Sequence, residues 1–399
     1  MTVRRLELPE PTADELAHSQ RVRGHVLDAI ARAGGWLPFA RYVELVLYAP
    51  GLGYYSAGAR KFGAEGDFVT SPEISPVFGR CLATQCADVL RALGGGDVVE
   101  LGGGTGRLAA DLLAALESEG APPARYRLLE VSADLRERQR AQVATLPAHL
   151  RDRVEWLDAP PPEPWRGVLL ANEVLDALPF ERFRRTADGV EQLGVEADGE
   201  RFRWSARTAP PPLCEAVTAL EVELGTPFPA GHASEACLAL DAWLPAVTRS
   251  LEAGLALVVD YGFPRREYYA PERDDGTLAC FYRHRRHDDP FLHPGLQDVT
   301  AWVDFTRAAE AGVAAGFEVG GYTTQAHFLL ATGFDRHVQA LRAELEAAGD
   351  PGGAALAAHR AARLVLPGEL GERFKCLGLV RGLSHAPRGF GLRDLTASL

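Results

Sequence analysis

The sequence predicts an α/β fold: a Rossmann-like, doubly wound sheet with helices on both faces. Three observations predict it. Strand-like and helix-like segments alternate from Asp97 to Ala171. The first strand runs straight into the loop Glu100-Leu101-Gly102-Gly103-Gly104-Thr105-Gly106. The second ends on a carboxylate, Glu130, 24 residues beyond Gly106.

Each element follows from its pattern. Asp14 to Gly34 reads as a helix, with Asp14 as cap and Leu16, Val22, Val26, Leu27 and Ile30 as the apolar stripe. The stretch 41–75 is rich in glycine, tyrosine and turn residues and is expected to be an ordered, irregular loop. Ser75 to Leu93 reads as a helix. Strands are expected at Asp97–Glu100, Tyr126–Val131, Val154–Leu157 and Val168–Ala171, with helices at Arg107–Ser118 and Ala133–Thr145 between them. Such alternation implies parallel pairing with right-handed crossovers.

The pattern changes from Phe180 to Thr208, where period-two alternation and the turns Asp188-Gly189 and Asp198-Gly199 predict hairpins. A helix over Ser234–Leu251 and a strand over Leu255–Asp260 follow, then a second irregular insertion over Gly276–Asp304. Helices at Phe305–Gly316 and Phe334–Ala348 and strands at Phe317–Thr324 and Cys376–Arg381 complete the reading. The expected organisation is an N-terminal helical region at 1–95 carrying a ligand-site loop, and an α/β domain at 96–385. That domain has insertions at about 180–230 and 265–304, and a tail follows at 386–399.

Composition narrows the function. A chain of 399 residues with 47% hydrophobic content can bury a large core. The net charge of −12 argues against a general nucleic-acid binder, which needs a basic face. The six cysteines form no C-x-x-C pair, so no zinc ribbon or dithiol motif is expected, and no metal site is assigned. The N-terminus lacks an apolar secretory core, and no window approaches the ~20 apolar residues of a membrane span. A cytoplasmic enzyme of unknown oligomeric state is the expectation.

The glycine loop narrows the ligand. A dinucleotide fingerprint G-x-G-x-x-G would need glycine at 107, where Arg107 stands. A phosphate-binding P-loop needs a lysine that is absent here. The pattern suits a cofactor without a pyrophosphate, with S-adenosylmethionine as the expected one. Gly102, Gly103, Gly104 and Gly106 would let the main chain approach it, and Glu130 would accept its ribose hydroxyls. Glu100 and Val131 lie at the same strand ends, and Asp158 follows the third strand. Beyond the fourth strand comes Asn172-Glu173-Val174-Leu175-Asp176-Ala177-Leu178-Pro179. Glu173 and Asp176 on one side of a turn or first helical turn could hold a guanidinium through paired hydrogen bonds, with Asn172 beside them. The bland alternative is a helix N-terminus that favours acidic residues. Thr70, Ser71 and Glu73 could likewise be a cap and its first turn. The run Arg283–Asp289 reads first as a solvated, self-paired charge run, and second as a metal site or substrate clamp. Glu235 and Asp260-Tyr261-Gly262 are lesser candidates.

Several blocks together resemble the MidA-like methyltransferases: GYYSAGARKFGAEGDFVTSPEISPVFG, VVELGGGTGRLAADLL, ANEVLDALPFERF, VVDYGFPRREYY, YTTQAHFLLATG and PGELGERFKCL, in that order. This family includes a mitochondrial assembly factor that methylates an arginine in a subunit of respiratory complex I. The resemblance implies a class I methyltransferase fold, S-adenosylmethionine as cofactor and a protein arginine as acceptor. It also places Asp67, Thr70, Ser71, Pro72 and Glu73 in the cofactor site or at its mouth. The family loop commonly reads E-L-G-P-G-R-G-T-L, and this chain differs at Gly103, Thr105 and Arg107 while keeping the alternate glycines. Two rivals stay open: methylation of a small molecule or another side chain, and a non-catalytic assembly chaperone acting through the β insertions.

Overall fold

A computed structural model describes residues 8–56 and 70–399. The chain forms two compact units, each assembled from separated stretches. One takes the described residues up to 56 with Asp176–Leu240 and Arg265–Trp302; the other takes 70–175 with Asp241–Pro264 and Val303–Leu399. The linear division expected at 95 and 385 therefore differs from the compact units, because both insertions and the N-terminal helices share one core.

The sheet unit contains seven principal strands: β1 Asp97–Leu101, β2 Tyr126–Leu129, β3 Val154–Leu157, β4 Trp165–Asn172, β5 Leu251–Phe263, β6 Glu318–Thr324 and β7 Phe374–Arg381. Their order is β6-β7-β5-β4-β1-β2-β3. β1 to β5 pair in parallel, and β7 runs antiparallel to both β5 and β6. The order reverses between β1 and β4. At such a switch point the connecting loops part and leave a crevice at the strand C-terminal ends. Val98, Val99, Val168, Leu169 and Leu170 are all buried, as expected of central strands covered on both faces.

Helices cover the sheet through one continuous core. Pro76–Ala92 starts on proline, and Ser75 Oγ caps it by accepting the Val77 N–H at 3.3 Å. Its Phe78, Cys81 and Leu82 join Leu108, Leu112 and Leu113 of the helix Arg107–Ser118. Gly79 allows this close approach, since a Cβ there would lie 2.8 Å from Asp111 Cβ. Within this unit the last stretch holds more helix than expected, with Gln325–Ala331 and Pro351–Ala362 besides Phe334–Ala347.

The other unit is built on the antiparallel strands Glu181–Arg185, Val190–Asp198, Arg201–Thr208 and Ala233–Ala236, with the short strand Leu37–Pro38. A second sheet joins Ala279–Tyr282, Arg285–His287 and Asp298–Thr300. The core is aromatic: Phe39 lies 4.6 Å from Trp204 and 5.6 Å from Phe180, centroid to centroid. The helix Ala13–Arg32 is capped by Thr12 rather than Asp14, in a reciprocal box with Glu15.

Three local expectations are corrected here. Phe39–Tyr48 is a helix that runs into the stretch 41–75 expected to be irregular. Its Phe39, Tyr42, Val43, Val46 and Leu47 are buried at helical spacing, so packing overrides the low helix propensity of valine and tyrosine. Ala233–Ala236, read as the start of a helix, is a strand paired with Glu181–Arg185, and the helix begins at Leu240. The proline run at 210–212 opens an unexpected helix, Pro211–Leu224, closed by left-handed Gly225. Among the described residues no helix is long and apolar enough to cross a membrane.

Candidate active site

The glycine loop leaves β1 through three left-handed residues, Gly102 (φ 62°), Gly104 (φ 52°) and Gly106 (φ 84°). A Cβ on Gly106 would meet Gln139 Cα at 2.8 Å, so that glycine serves packing. A Cβ on Gly104 would meet nothing within 4 Å, so that glycine borders open space. Thr105 donates its hydroxyl to Glu73, which ties the short helix Ser71–Ile74 to the loop.

Two buried carboxylates flank the loop. Glu100 Oε2 accepts the Tyr126 hydroxyl at 2.6 Å, and burial, with Glu130 nearby, pushes its carboxyl up to about 7. Glu130 accepts the Ser132 N–H at 2.9 Å and the Gln139 amide at 3.1 Å; burial raises its carboxyl too. Gln139 is fully buried. It also donates to Gly104 O at 3.1 Å and accepts the Trp156 indole N–H at 3.0 Å. One side chain thus joins the loop, the β2 carboxylate and β3. Sequence reading missed Gln139, although Leu135, Gln139 and Val143 are spaced by four on the buried face of one helix. A glutamine on an apolar stripe was the available signal.

Other expected residues fall as follows. Val131 is 73% exposed at the end of β2, an uncovered apolar side chain beside Glu130. Asp158 is exposed and held by Arg136 at 2.8 Å, whose guanidinium also donates to Glu130 O and Leu157 O. Thr70 precedes the short helix but makes no capping hydrogen bond through its side chain. Ser71 is buried and donates to Gln325 Oε1 at 3.1 Å, and Pro72 is buried beside it. Asp67 lies outside the described residues.

β4 ends at Asn172, paired with Val259 of β5. Of the turn or first helical turn expected here, the chain forms the former: bends and turns run through residues 173–178. Glu173 takes a left-handed φ of 55°, uncommon for a residue with a side chain. Asn172 Nδ2 donates to Glu173 Oε1 at 3.1 Å, and Asn172 Oδ1 is buried with no hydrogen-bond partner among the described residues. Gly102 and this turn are neighbours, since a Cβ on Gly102 would lie 3.4 Å from Val174 Cγ2. Asp176 falls in the other unit, where Thr300 donates its hydroxyl to the Asp176 carboxylate at 3.2 Å and to its carbonyl at 3.1 Å.

Glu235 is buried, accepts the N–H and hydroxyl of Thr277, and stands cross-strand from Arg182. Within the charge run, Arg283 leaves its neighbours to pair with Glu15 at 2.8 Å, so the run is not simply self-paired. Among the described residues no cluster of histidine, cysteine and carboxylates could hold a metal ion.

Known proteins resemble this chain over most of its length. Residues 81–323 match the family described as "Putative S-adenosyl-L-methionine-dependent methyltransferase". The chain belongs to this family. It is an S-adenosylmethionine-dependent methyltransferase with the class I fold. A crystal structure from Burkholderia thailandensis bound to S-adenosyl-homocysteine is similar, with TM-score 0.91 and 41% identity over 98% of this chain and 100% of that one. The mitochondrial protein arginine methyltransferase NDUFAF7 of Danio rerio is 30% identical over 89% of this chain and 86% of its own length. That of Mus musculus is 29% identical over 88% and 82%. These relatives correct the cytoplasmic expectation, because they are named as mitochondrial proteins.

The residues present fit the cofactor. Positive-φ glycines bare the backbone, Gly104 borders open space, and Asn172 offers a buried acceptor with no partner among the described residues.

Proposed function

We propose that this methyltransferase acts on an arginine side chain of a protein, with Gly102, Gly103, Gly104, Gly106 and Glu130 holding the cofactor and Asn172 and Glu173 facing the acceptor. One observation carries the reading: relatives aligned over most of the chain are named protein arginine methyltransferases. The carboxylate of Glu173, directly after β4, is suited to a guanidinium. A respiratory complex I subunit is the target that the family resemblance offers.

The cofactor supplies a methyl group on a positively charged sulfur. The chain's own task is to place the acceptor nitrogen in line with it and to exclude water. Glu173 orients the guanidinium by accepting its N–H groups and stands ready to receive the proton released as the nitrogen is alkylated. Asn172 fixes the Glu173 carboxylate through its amide and turns its own carbonyl oxygen to the ligand. Glu100 and Glu130 place carboxyl groups at the strand ends, and Val131 supplies an apolar surface. Thr70, Ser71, Pro72 and Asp67 are assigned to the mouth of the cofactor site, and Asp158 to its adenine side. Asp176 remains a candidate with its own test, Asp176→Asn.

The test uses radiolabelled S-adenosylmethionine and protein extract from cells lacking the enzyme. Label should appear as methylarginine after acid hydrolysis, and Glu173→Gln should lower the rate by roughly 100-fold, the scale of a lost orienting group. Label on any other residue, or on no protein, would falsify the arginine assignment.

A further inference from the structure

We propose that Asp260 is the positioning residue of this active site: its carboxylate holds the turn after β4 so that Glu173 keeps its left-handed conformation and its aim. The proposal rests on the assignment of Glu173 to the acceptor side.

The argument starts from strand lengths. β4 stops at Asn172, while its neighbour β5 runs on to Phe263. The last register pair is Asn172 with Val259, so Asp260 is the first β5 residue to project past the end of β4. Three successive N–H groups of the turn are received there. Glu173 N–H donates to Val259 O at 2.8 Å. Val174 and Leu175 N–H both donate to Asp260 Oδ2, at 3.2 and 2.9 Å. The other carboxylate oxygen, Oδ1, accepts the Tyr261 N–H at 2.9 Å. Asp260 is completely buried, so these bonds form out of competition with water.

Consecutive N–H groups that converge on one carboxyl group form an anion-binding concavity, and a left-handed residue beside them turns the chain into it. The left-handed residue here is Glu173, at φ 55°. Glycine would take that conformation without strain, yet the position carries a glutamate. Strain retained at one residue beside a ligand cradle marks a side chain held for use. Asp260 provides the compensating force: a buried carboxyl group that accepts N–H groups from three residues. Without it the turn is free to relax to negative φ, which swings the Glu173 Cβ and carboxylate away from Asn172 Nδ2. The glycine loop keeps its own anchors, Gln139 and Thr105, so cofactor binding does not depend on Asp260.

Asp260 is therefore distinguished from a merely structural aspartate by what it moves. The experiment compares Asp260→Ala, Asp260→Asn, Glu173→Gln and the double variant Asp260→Ala/Glu173→Gln. Calorimetry gives the Kd for S-adenosylmethionine, and label transfer into extract from cells lacking the enzyme, at varied extract concentration, gives apparent kcat and KM. Asp260→Ala should lose about 10- to 100-fold in kcat, the scale of an ångström-sized misplacement, with cofactor Kd changed less than about threefold. Asp260→Asn keeps one oxygen to accept from Val174 and Leu175 and should recover most of that loss. In the double variant, loss of Asp260 should add nothing to the loss from Glu173→Gln. Additive losses, an equal defect in Asp260→Asn, or a cofactor Kd that rises in step with the loss of kcat would each overturn the positioning role. A full rate in Glu173→Gln would overturn the assignment of Glu173 and this proposal with it. Label on a residue other than arginine would change the substrate and leave the Asp260 comparison intact.

Discussion

Gln139 shows how much one uncharged side chain can organise. Its amide satisfies Gly104 O, Glu130 and the Trp156 indole at once. Gln139→Leu keeps the bulk and removes three hydrogen bonds, each worth about 0.5–1.5 kcal/mol. The unliganded protein should lose about 2–4 kcal/mol in urea unfolding. The Kd for S-adenosylmethionine should rise about tenfold, because the loop and the Glu130 carboxylate lose their common tie. Calorimetry on the folded variant checks the second effect. An unchanged Kd would show that Glu130 holds its place without Gln139.

At the scale of the element, the three left-handed glycines are not equivalent. Gly106 packs on the Gln139 backbone, and Gly104 does not touch the protein at its Cβ position. Alanine at either position meets the left-handed penalty of about 1–2 kcal/mol. Gly106→Ala adds a backbone clash and should lower the unfolding midpoint more than Gly104→Ala. Gly104→Ala should instead show most of its effect on cofactor affinity, since its new methyl group enters the open space. Equal losses of stability in the two variants would contradict this division. The glycine pattern was legible in the sequence. Which glycine serves packing and which serves the ligand was not, because that depends on a helix 33 residues further along the chain.

For the whole molecule, two buried groups in the sheet unit give opposite responses to pH. Burial and nearby Glu130 push Glu100 from 4.5 up to about 7. The folded chain keeps that proton where the unfolded chain has released it. Its stabilising contribution is present below about pH 4.5 and is lost as pH rises to about 7, on the order of 3 kcal/mol. Burial, with Arg336 and Arg80 nearby, pushes His337 from 6.5 down to about 4. The unfolded histidine takes up a proton that the folded one refuses, so this contribution is present above about pH 6.5 and lost as pH falls toward 4. The two slopes oppose each other through most of the same range. Relative to the parent protein, Glu100→Gln should gain stability as pH rises from 5 to about 7, and His337→Gln should lose it. Denaturant titrations at pH 5 and 7 measure both, and parallel profiles would refute the opposition.

The sequence by itself determined the strand-helix alternation, the glycine loop, the carboxylate at the end of β2 and the place of NEVLDALP after β4. These signals are local: a few residues whose backbone demands or periodicity show in a short window. It also determined the hairpins of the first insertion, through their Asp-Gly turns. Tertiary structure decided the rest. Phe39–Tyr48 became helical because its aromatic face is buried, and Ala233–Ala236 became a strand because Glu181–Arg185 offered an edge. Asp176 was joined to Thr300, and the turn after β4 to Asp260, each pair far apart in sequence. Bonds between residues distant in sequence leave no periodic trace in the chain. The bond between Asp260 and the turn arises because strands of unequal length pair and one carries a buried carboxyl group past the end of its neighbour.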